Sequence, residues 1–422
     1  ADGINRRIAE VRDDSSLLPF EFKAVGAQLG LLFVPADWTV TDLLAWMAML
    51  LRQFDPEALA TGQLDSAALM QELAATYPTE YQNMFDDLRW LNDPEAQTYI
   101  PPAGGGMAAG VRQALPPVDA RSLPDARPAV RDLGATIATI DENLTRIGAK
   151  VKMGSYGWAV SGSKTASGRP IIYSGPQMGF PVPSIVLEGS IVGGGLVISG
   201  MSVPGIPGII IGRTPHHAWA MQVGHAHTTD YYLDDQSAAQ LHRMETIKVA
   251  GGADVTLPVF RTPHGPVVNP MPFVPGQTSG PVVAWKYAHW GYEFDIIGAF
   301  LGLAKAQSMD QFGAAIERVA VSQNFPYADR DGNIAYWLSG RDPVRAAGAD
   351  PRLPQRGDGT QEWPQPVRLK PRSTDRNTPA GYYAGWNNKS NANYDNSTNN
   401  LNYAYGPFHG AHVLYDYLSP HD

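Results

Sequence analysis

An α+β fold is the class this sequence predicts, and three observations predict it. Apolar residues recur at helical spacing through the first hundred positions. A Pro-, Gly- and Ala-rich stretch follows, and from Ser155 onward short apolar runs alternate with Gly and Pro. With 422 residues, 44% of them apolar, the chain is long enough to bury a sizeable core.

The first part, residues 1–100, reads as helical. ADWTVTDLLAWMAMLLRQF carries its apolar residues at helical spacing behind two candidate caps, Thr39 and Thr41, and LDSAALMQELAATYP does the same and stops at Pro78. From Tyr99 to about Asp132 the pattern collapses into PPAGGGMAAG and LPPVDARSLPDARP, with little that could pack, so residues 101–154 read as a linker or spacer. The remainder, 155–422, is sheet-rich: YGWAV, RPIIYSG, PSIVLEG, GLVISG, PGIIIG, HAWAMQVG, DYYLDD, ETIKVA, DVTLPVF and GPVVAWKYAHW predict antiparallel strands with turns between them. SMDQFGAAIERVA predicts one interrupting helix, and VSQNFPYADRDGNIAYWLSG two strands around a turn. The Asn-rich NNKSNANYDNSTNN predicts a long loop.

Composition removes several function classes. A net charge of −9 without a basic run is unsuited to nucleic acid, whose phosphates need clustered Lys and Arg. The absence of cysteine excludes disulfides, thiol catalysis and Cys-ligated zinc. VTDLLAWMAMLL and GGGLVISGMSVPGIPGIIIG are too short or too broken by Gly and Pro to span a bilayer, and no signal peptide is visible at Ala1.

One stretch, MGSYGWAVSGSK, places Gly154-Ser155 at the start of the densest strand pattern. A turn is the plain reading. The alternative is that the Gly154–Ser155 bond is cut, leaving Ser155 as a new first residue. A serine hydroxyl is a poor nucleophile at neutral pH and ordinarily borrows a histidine. An N-terminal serine carries its own base, because its α-amino group has a reference pKa of roughly 7.7 to 8.0 and is substantially neutral near neutral pH. A glycine before it would tolerate the strained turn that attack of the Ser155 hydroxyl on the Gly154 carbonyl demands.

Several further blocks occur in an order that resembles the penicillin G acylases of the N-terminal nucleophile hydrolases: SYGWAVSGSKTASGRPIIYSGPQMGF, PGIIIGRTPHHAWAMQVGHAHTTDYYLD, FRTPHGPVV, SQNFPYADRDGNIAYWLSGRDPVR and GYYAGWNNKSNANY, preceded by ADGINRRI and DLRWLNDPEAQT. The resemblance implies a four-layer αββα sandwich, matured from one precursor into a helical small chain and a sheet-rich large chain. It also implies hydrolysis of a linear amide between an apolar acyl group and an amine, in a periplasmic or secreted setting. By that resemblance Ser155 is the nucleophile and its amine the base. The oxyanion is held by the backbone N–H of Val223 and the side-chain amide of Asn324. The backbone carbonyl of Gln177 orients the amine, and Arg345 sits near it in a polar network. Met178, Ile211, Met221 and Phe54 form the acyl pocket.

This sequence also departs from the family pattern. Tyr156 stands where the family usually has Asn. The family's structural calcium, partly held by two Asp residues, would here fall to the stretch with Thr229 and Asp230, where one of the two carboxylates is replaced by His227. Apart from Phe54 the pocket positions are Met and Ile rather than aromatic, which suits a flexible aliphatic or irregular acyl group. The family's first strands would precede ADGIN, and its long final section would follow HVLYDYLSP.

Other readings of single features stay open. His225 and His227 share a strand face and could contribute to a metal site. Ser161-Gly162-Ser163-Lys164 satisfies the S-x-x-K pattern of β-lactam-binding serine enzymes, although it lies on a predicted strand and no Ser-Asp-Asn follows. The run from Asp329 to Asn333 resembles a calcium loop without its distal Glu, and a hairpin turn explains it better. As a whole, a non-catalytic exported β-rich binding protein, with Ser155 in a turn, is the alternative to the enzyme.

Overall fold

The computed structural model describes residues 1–30, 34–93, 95–102, 115–146, 154–179, 184–249, 251–269, 281–395, 397–401, 406 and 409–419. The helices of the first part are α1 Asp2–Asp13, α2 Phe20–Leu29, α3 Val40–Gln53, α4 Pro56–Leu59, α5 Gly62–Thr76 and α6 Tyr81–Leu88. Thr39, not Thr41, caps α3: its hydroxyl accepts from the Asp42 N–H at 3.2 Å while Asp42 accepts from the Thr39 N–H at 2.7 Å.

The spacer expectation fails in part. Residues 103–114 and 147–153 of it lie outside the described residues, but Arg127–Arg146 form α7, a helix of 20 residues. Its Ala129 and Leu133, together with Ala120, Leu123 and Ala126 just before it, are buried in one cluster with Met70 of α5 and Phe85 of α6. Pro, Arg and Asp interrupt the start of that stretch, but its buried apolar side chains recur three and four residues apart, which is enough for one buried stripe.

The sheet-rich part contains β1 Ser155–Val160, β2 Ile171–Pro176, β3 Leu187–Gly193, β4 Leu196–Ser202, β5 Ile211–Arg213, β6 His217–Trp219, β7 Gln222–Val223, β8 Thr229–Asp234, β9 Gln240–Ile247, β10 Val255–Thr262, β11 Gly265–Pro266 and β12 Val282–Tyr287. After α8 Asp295–Lys305 and α9 Met309–Ile316 come β13 Gln323–Asp329, β14 Ile334–Leu338, β15 Gln355–Arg356, β16 Thr374–Arg376, β17 Tyr382–Gly385 and α10 His412–Leu418. The pairings are antiparallel as expected, except that β15 runs parallel to β8. α8 was not anticipated. Its sequence, DIIGAFLGLAK, is apolar nearly all round, so it shows no polar face to mark it as a helix.

Four layers result. The sheet β17-β1-β2 lies face to face with the eight-stranded sheet β16-β14-β13-β6-β5-β4-β3, whose eighth strand, β7, also pairs with β13. Alternation along β1 and β17 sends Ala159 and Tyr383 inward against Ala328, Ile334, Tyr336 and Leu338. Val160, Tyr382 and Ala384 face outward onto Leu414, Tyr415 and Leu418 of α10. On the far side, Phe300 of α8 and Phe312 and Ile316 of α9 cover Trp219, Phe325, Tyr327 and Trp337. Helix, sheet, sheet, helix is the order the resemblance implied. The two sheets approach closely: a side chain at Gly157 would lie 2.1 Å from the Gln222 amide, and one at Gly385 would lie 2.1 Å from the Tyr99 ring.

The Asn-rich tail is irregular, as expected, but it is buried rather than peripheral. Tyr99 and Ile100 donate backbone bonds of 2.8 and 2.9 Å to Lys389 and Ser390, and the Lys389 ammonium reaches Asn92 Oδ1 and the Asp93 carbonyl, both at 2.6 Å. Further on, the Ser397 hydroxyl and the Asn399 N–H both donate to the buried Glu57 carboxyl of α4. Burial, with the Asp55 charge nearby, pushes Glu57 up to about 8.

Native Glu57 therefore keeps its proton to about pH 8, whereas the unfolded chain loses it near its ordinary 4.5. The stabilisation is complete below the lower value and fades as pH climbs through the upper one. Urea unfolding midpoints should fall between pH 5 and pH 8.5, and Glu57→Gln, which has no proton to lose, should flatten that slope.

Candidate active site

Ser155 begins β1, and its surroundings follow from strand register. It pairs with Pro176 on β2, and one step earlier the Gln177 N–H donates to the Gly154 carbonyl at 2.6 Å. In an antiparallel ladder bonded and non-bonded pairs alternate, so the Ser155 N–H faces away from β2, towards β17. There the register Gly157↔Gly385 brings position 387 opposite Ser155. Asn387 leaves the strand with φ +58°, a left-handed conformation that Asn tolerates, and its side chain takes over. Asn387 Oδ1 accepts from the Ser155 N–H at 3.0 Å, and Nδ2 donates to Ser155 Oγ at 3.1 Å and to the Val223 carbonyl at 3.0 Å. Ser155 and Asn387 are both buried.

Across the interface, Gly224 and Ala220 donate to Ser322 and Pro326 of the facing β13 segment. Val223, opposite Gln323, falls between these bonded pairs, so the ladder does not consume its N–H. Asn324 is held by its own contacts: Oδ1 accepts from the Tyr336 hydroxyl at 2.6 Å and Nδ2 donates to the Val223 carbonyl at 3.0 Å. One N–H of that amide remains for another acceptor. Val223 and Asn324 are thus bonded to each other, and the same Val223 carbonyl accepts from Asn387, which holds Ser155.

Gly154, Ser155 and Val223 line an open cleft whose non-atom space, counted out to its mouth and into solvent, is about 800 Å³. Phe54, Met178, Ile211 and Met221 are all in its wall, joined by Met47 and Leu51 of α3 and by Ile296 and Phe300 of α8. Among the described residues no charged side chain lines it.

In the uncut chain the Gln177 N–H donates to the Gly154 carbonyl, while the role expected of the Gln177 carbonyl concerns an amine that exists only after a cut. Two other expectations are corrected. Gly154 does not adopt a left-handed φ, and a side chain there would make only ordinary contacts of 3.5 Å or more with Gln177, so no strained turn is seen. Arg345 is not at the nucleophile: its guanidinium bonds Asp230 Oδ1 at 3.0 Å, Asp342 Oδ1 at 3.2 Å and the His227 carbonyl at 3.1 Å. Asn387, which does touch Ser155, was overlooked because an Asn-rich run reads as loop. Its signal was the GWNN turn just after a strand that pairs with β1.

Ser161 bonds Ser163 at 2.6 Å in a single turn after β1, rather than on a strand, and neither Ser161 nor Lys164 lines the cleft. Asp329 accepts from the Asp331 and Asn333 N–H groups and closes the β13–β14 hairpin, as read. Burial pushes the His225 ring down to about 3, and among the described residues no group of three His, Asp or Glu is placed to hold a metal.

The residues at the implied calcium position do not fit that ion. Calcium takes six to eight oxygen ligands. Asp230 is fully buried, and its oxygens already accept from Gln63 Nε2 at 2.6 Å, Arg345 Nε at 3.0 Å and Trp363 Nε1 at 2.6 Å. The Thr229 carbonyl accepts from Asn399 Nδ2 at 3.1 Å. A guanidinium stands where a cation would bind.

The geometry agrees with sequence kinship. The penicillin amidase profile matches residues 1–421, and the chain belongs to that family. It is 27% identical to penicillin G acylase of Escherichia coli, an alignment covering 93% of this chain and 49% of that protein. It is 25% identical to the acyl-homoserine lactone acylase QuiP of Pseudomonas aeruginosa, over 50% of this chain and 27% of that one. The thermostable penicillin G acylase from Alcaligenes faecalis superposes with a TM-score of 0.56 at 28% identity, over 63% of this chain and 49% of the other. The chain spans about half the length, or less, of these relatives.

Arg345→Ala would leave Asp230 buried and charged without its cation, at a cost of about 3–5 kcal/mol. Chemical denaturation should show that loss. A calcium chelator should leave the wild-type unfolding midpoint where it is.

Proposed function

We propose that this chain is an amide hydrolase that cuts its own Gly154–Ser155 bond and then uses Ser155 to remove an apolar acyl group from an amine. The observation that carries this reading is the position of Ser155 at the first residue of β1, in the wall of an uncharged apolar cleft that contains all four expected acyl contacts. In the self-cleavage step, the Ser155 hydroxyl attacks the Gly154 carbonyl carbon. Charge collects on the oxygen already bonded by the Gln177 N–H, the C–N bond breaks towards the serine nitrogen, and water hydrolyses the resulting ester.

In turnover, the freed amine accepts the hydroxyl proton as Oγ attacks the substrate carbonyl. The oxyanion lies between the Val223 N–H and the remaining Asn324 amide proton. The amine returns its proton to the leaving nitrogen, and water completes the cycle on the acyl-enzyme. Flexible Met side chains around the cleft favour a linear aliphatic acyl group over a flat aromatic one. The relatives include both penicillin and acyl-homoserine lactone acylases. The two parts of the cut precursor remain partners of one another, and a periplasmic or secreted setting belongs to the same proposal.

N-terminal sequencing of the purified wild type should reveal a chain starting at Ser155, and Ser155→Ala should stay uncut. Aliphatic acyl anilides should be turned over faster than phenylacetyl anilide. A wild-type chain that stays folded and intact would favour the binding-protein alternative. Asn324→Ala should lower kcat by about 10²–10³-fold with little change in KM, since it removes a donor to the developing charge.

A further inference from the structure

We propose that Asn387 is a catalytic residue of this site, holding both the nitrogen and the hydroxyl of Ser155 with one planar amide; this rests on the reading of Ser155 as nucleophile. Register places Asn387 where the next strand residue would accept the Ser155 N–H, but its backbone has turned left-handed. The turn is fixed locally: the Trp386 N–H donates to Asn388 Oδ1 at 2.9 Å, and Asn388 Nδ2 donates to the Gln97 carbonyl at 3.0 Å. The side-chain amide therefore does the work of a missing backbone carbonyl, and adds donors that a carbonyl lacks.

Each polar atom of that amide has a task. Oδ1 is the acceptor for the serine nitrogen at 3.0 Å. Once the chain is cut, one N–H of the amine stays on Oδ1, which fixes rotation about the N–Cα bond and aims the lone pair. Nδ2 donates to Oγ at 3.1 Å, so the hydroxyl proton turns elsewhere, with the serine's own amine in reach. The second Nδ2 proton, on the Val223 carbonyl at 3.0 Å, fixes the plane of the amide and ties it to the oxyanion strand. As Oγ bonds to the substrate carbonyl carbon, its proton passes to the amine. That proton then goes to the leaving nitrogen, which takes the electron pair of the broken C–N bond.

An aspartate of the same shape would keep the acceptor and lose both donors, and its charge would stabilise the protonated amine. The surroundings do not mask that effect. The cleft wall contributed by α3, α8 and β2 is uncharged. Of the titratable neighbours, Tyr99 and Tyr336 are pushed well up by burial, and His225 and His409 are pushed down.

The test uses full-length protein in which residues 151–154 are replaced by a factor Xa recognition tetrapeptide, so that added protease frees Ser155 in wild type and variants alike. Asn387→Gly tolerates the left-handed φ and removes only the amide; it should lower kcat/KM for an aliphatic acyl anilide roughly 100-fold, mainly through kcat. Asn387→Asp should move the acid limb of the kcat/KM profile up by about one pH unit. The amine itself, followed by NMR with ¹⁵N-serine, should titrate about one unit higher in Asn387→Asp, which requires no turnover. Superimposable profiles and amine titrations for wild type and Asn387→Asp, or Asn387→Gly within threefold of wild type, would overturn the assignment. A wild type with a free Ser155 that hydrolyses no anilide would instead count against the proposed function, and the amine titration would still decide the role of Asn387.

Discussion

Everything at the site depends on how closely two sheets meet. Ser155 belongs to one and Val223 and Asn324 to the other, so residues of the two sheets approach each other there only where the inner faces carry little side-chain bulk. Gly157, two residues along from Ser155, leaves room for the Gln222 amide at a place where a methyl group would sit 2.1 Å away. Gly385, its partner on β17, leaves the same room for the ring of Tyr99. Ordinary sheets pack about 10 Å apart with side chains between them. Here bare backbone on one sheet admits large side chains, and Tyr99 fills the seam, stacked on Tyr336 at 4.5 Å. Tyr336 in turn bonds Asn324, so the packing of the seam and the aim of an expected oxyanion donor are one arrangement.

A second buried constraint sits beside the site rather than in it. Asp230 joins three separate parts of the chain through Gln63, Arg345 and Trp363, each a donor to the same carboxylate. A divalent ion could tie such parts together by gathering oxygens around itself. A guanidinium does it with directed hydrogen bonds to a single acid, and needs no ion from solution. The contacts that hold Arg345 at Asp230 are the same ones that leave this carboxylate unsuited to calcium.

What could be read in advance tracks how local the cause is. Thr39 and the α3 pattern lie within a few residues of one another, and the structure reproduces them. Ser155, Met178, Ile211 and Met221 were legible because whole blocks carry them. α7 was missed because Leu123, Ala126 and Leu133 matter only once α5 and α6 offer a surface to receive them. α8 was missed for the opposite reason, a uniformly apolar sequence without a polar face. Asn387 was hidden most deeply: its contact with Ser155 arises from register with a strand more than two hundred residues earlier, and the GWNN turn marks the place without naming that partner.

The Asn-rich seam has a thermodynamic consequence. Glu57, Gln63, Asn92 and Thr98, all upstream of Ser155, are stitched to residues from Thr229 onward by buried hydrogen bonds. Severing the peptide before Ser155 would therefore release neither piece while the protein stays folded. It would, however, change the molecularity of the return journey: a precursor refolds as one molecule, but two melted fragments must find each other by diffusion. The cut form would be durable once assembled and hard to recover once lost, with an apparent melting point that depends on how dilute the sample is.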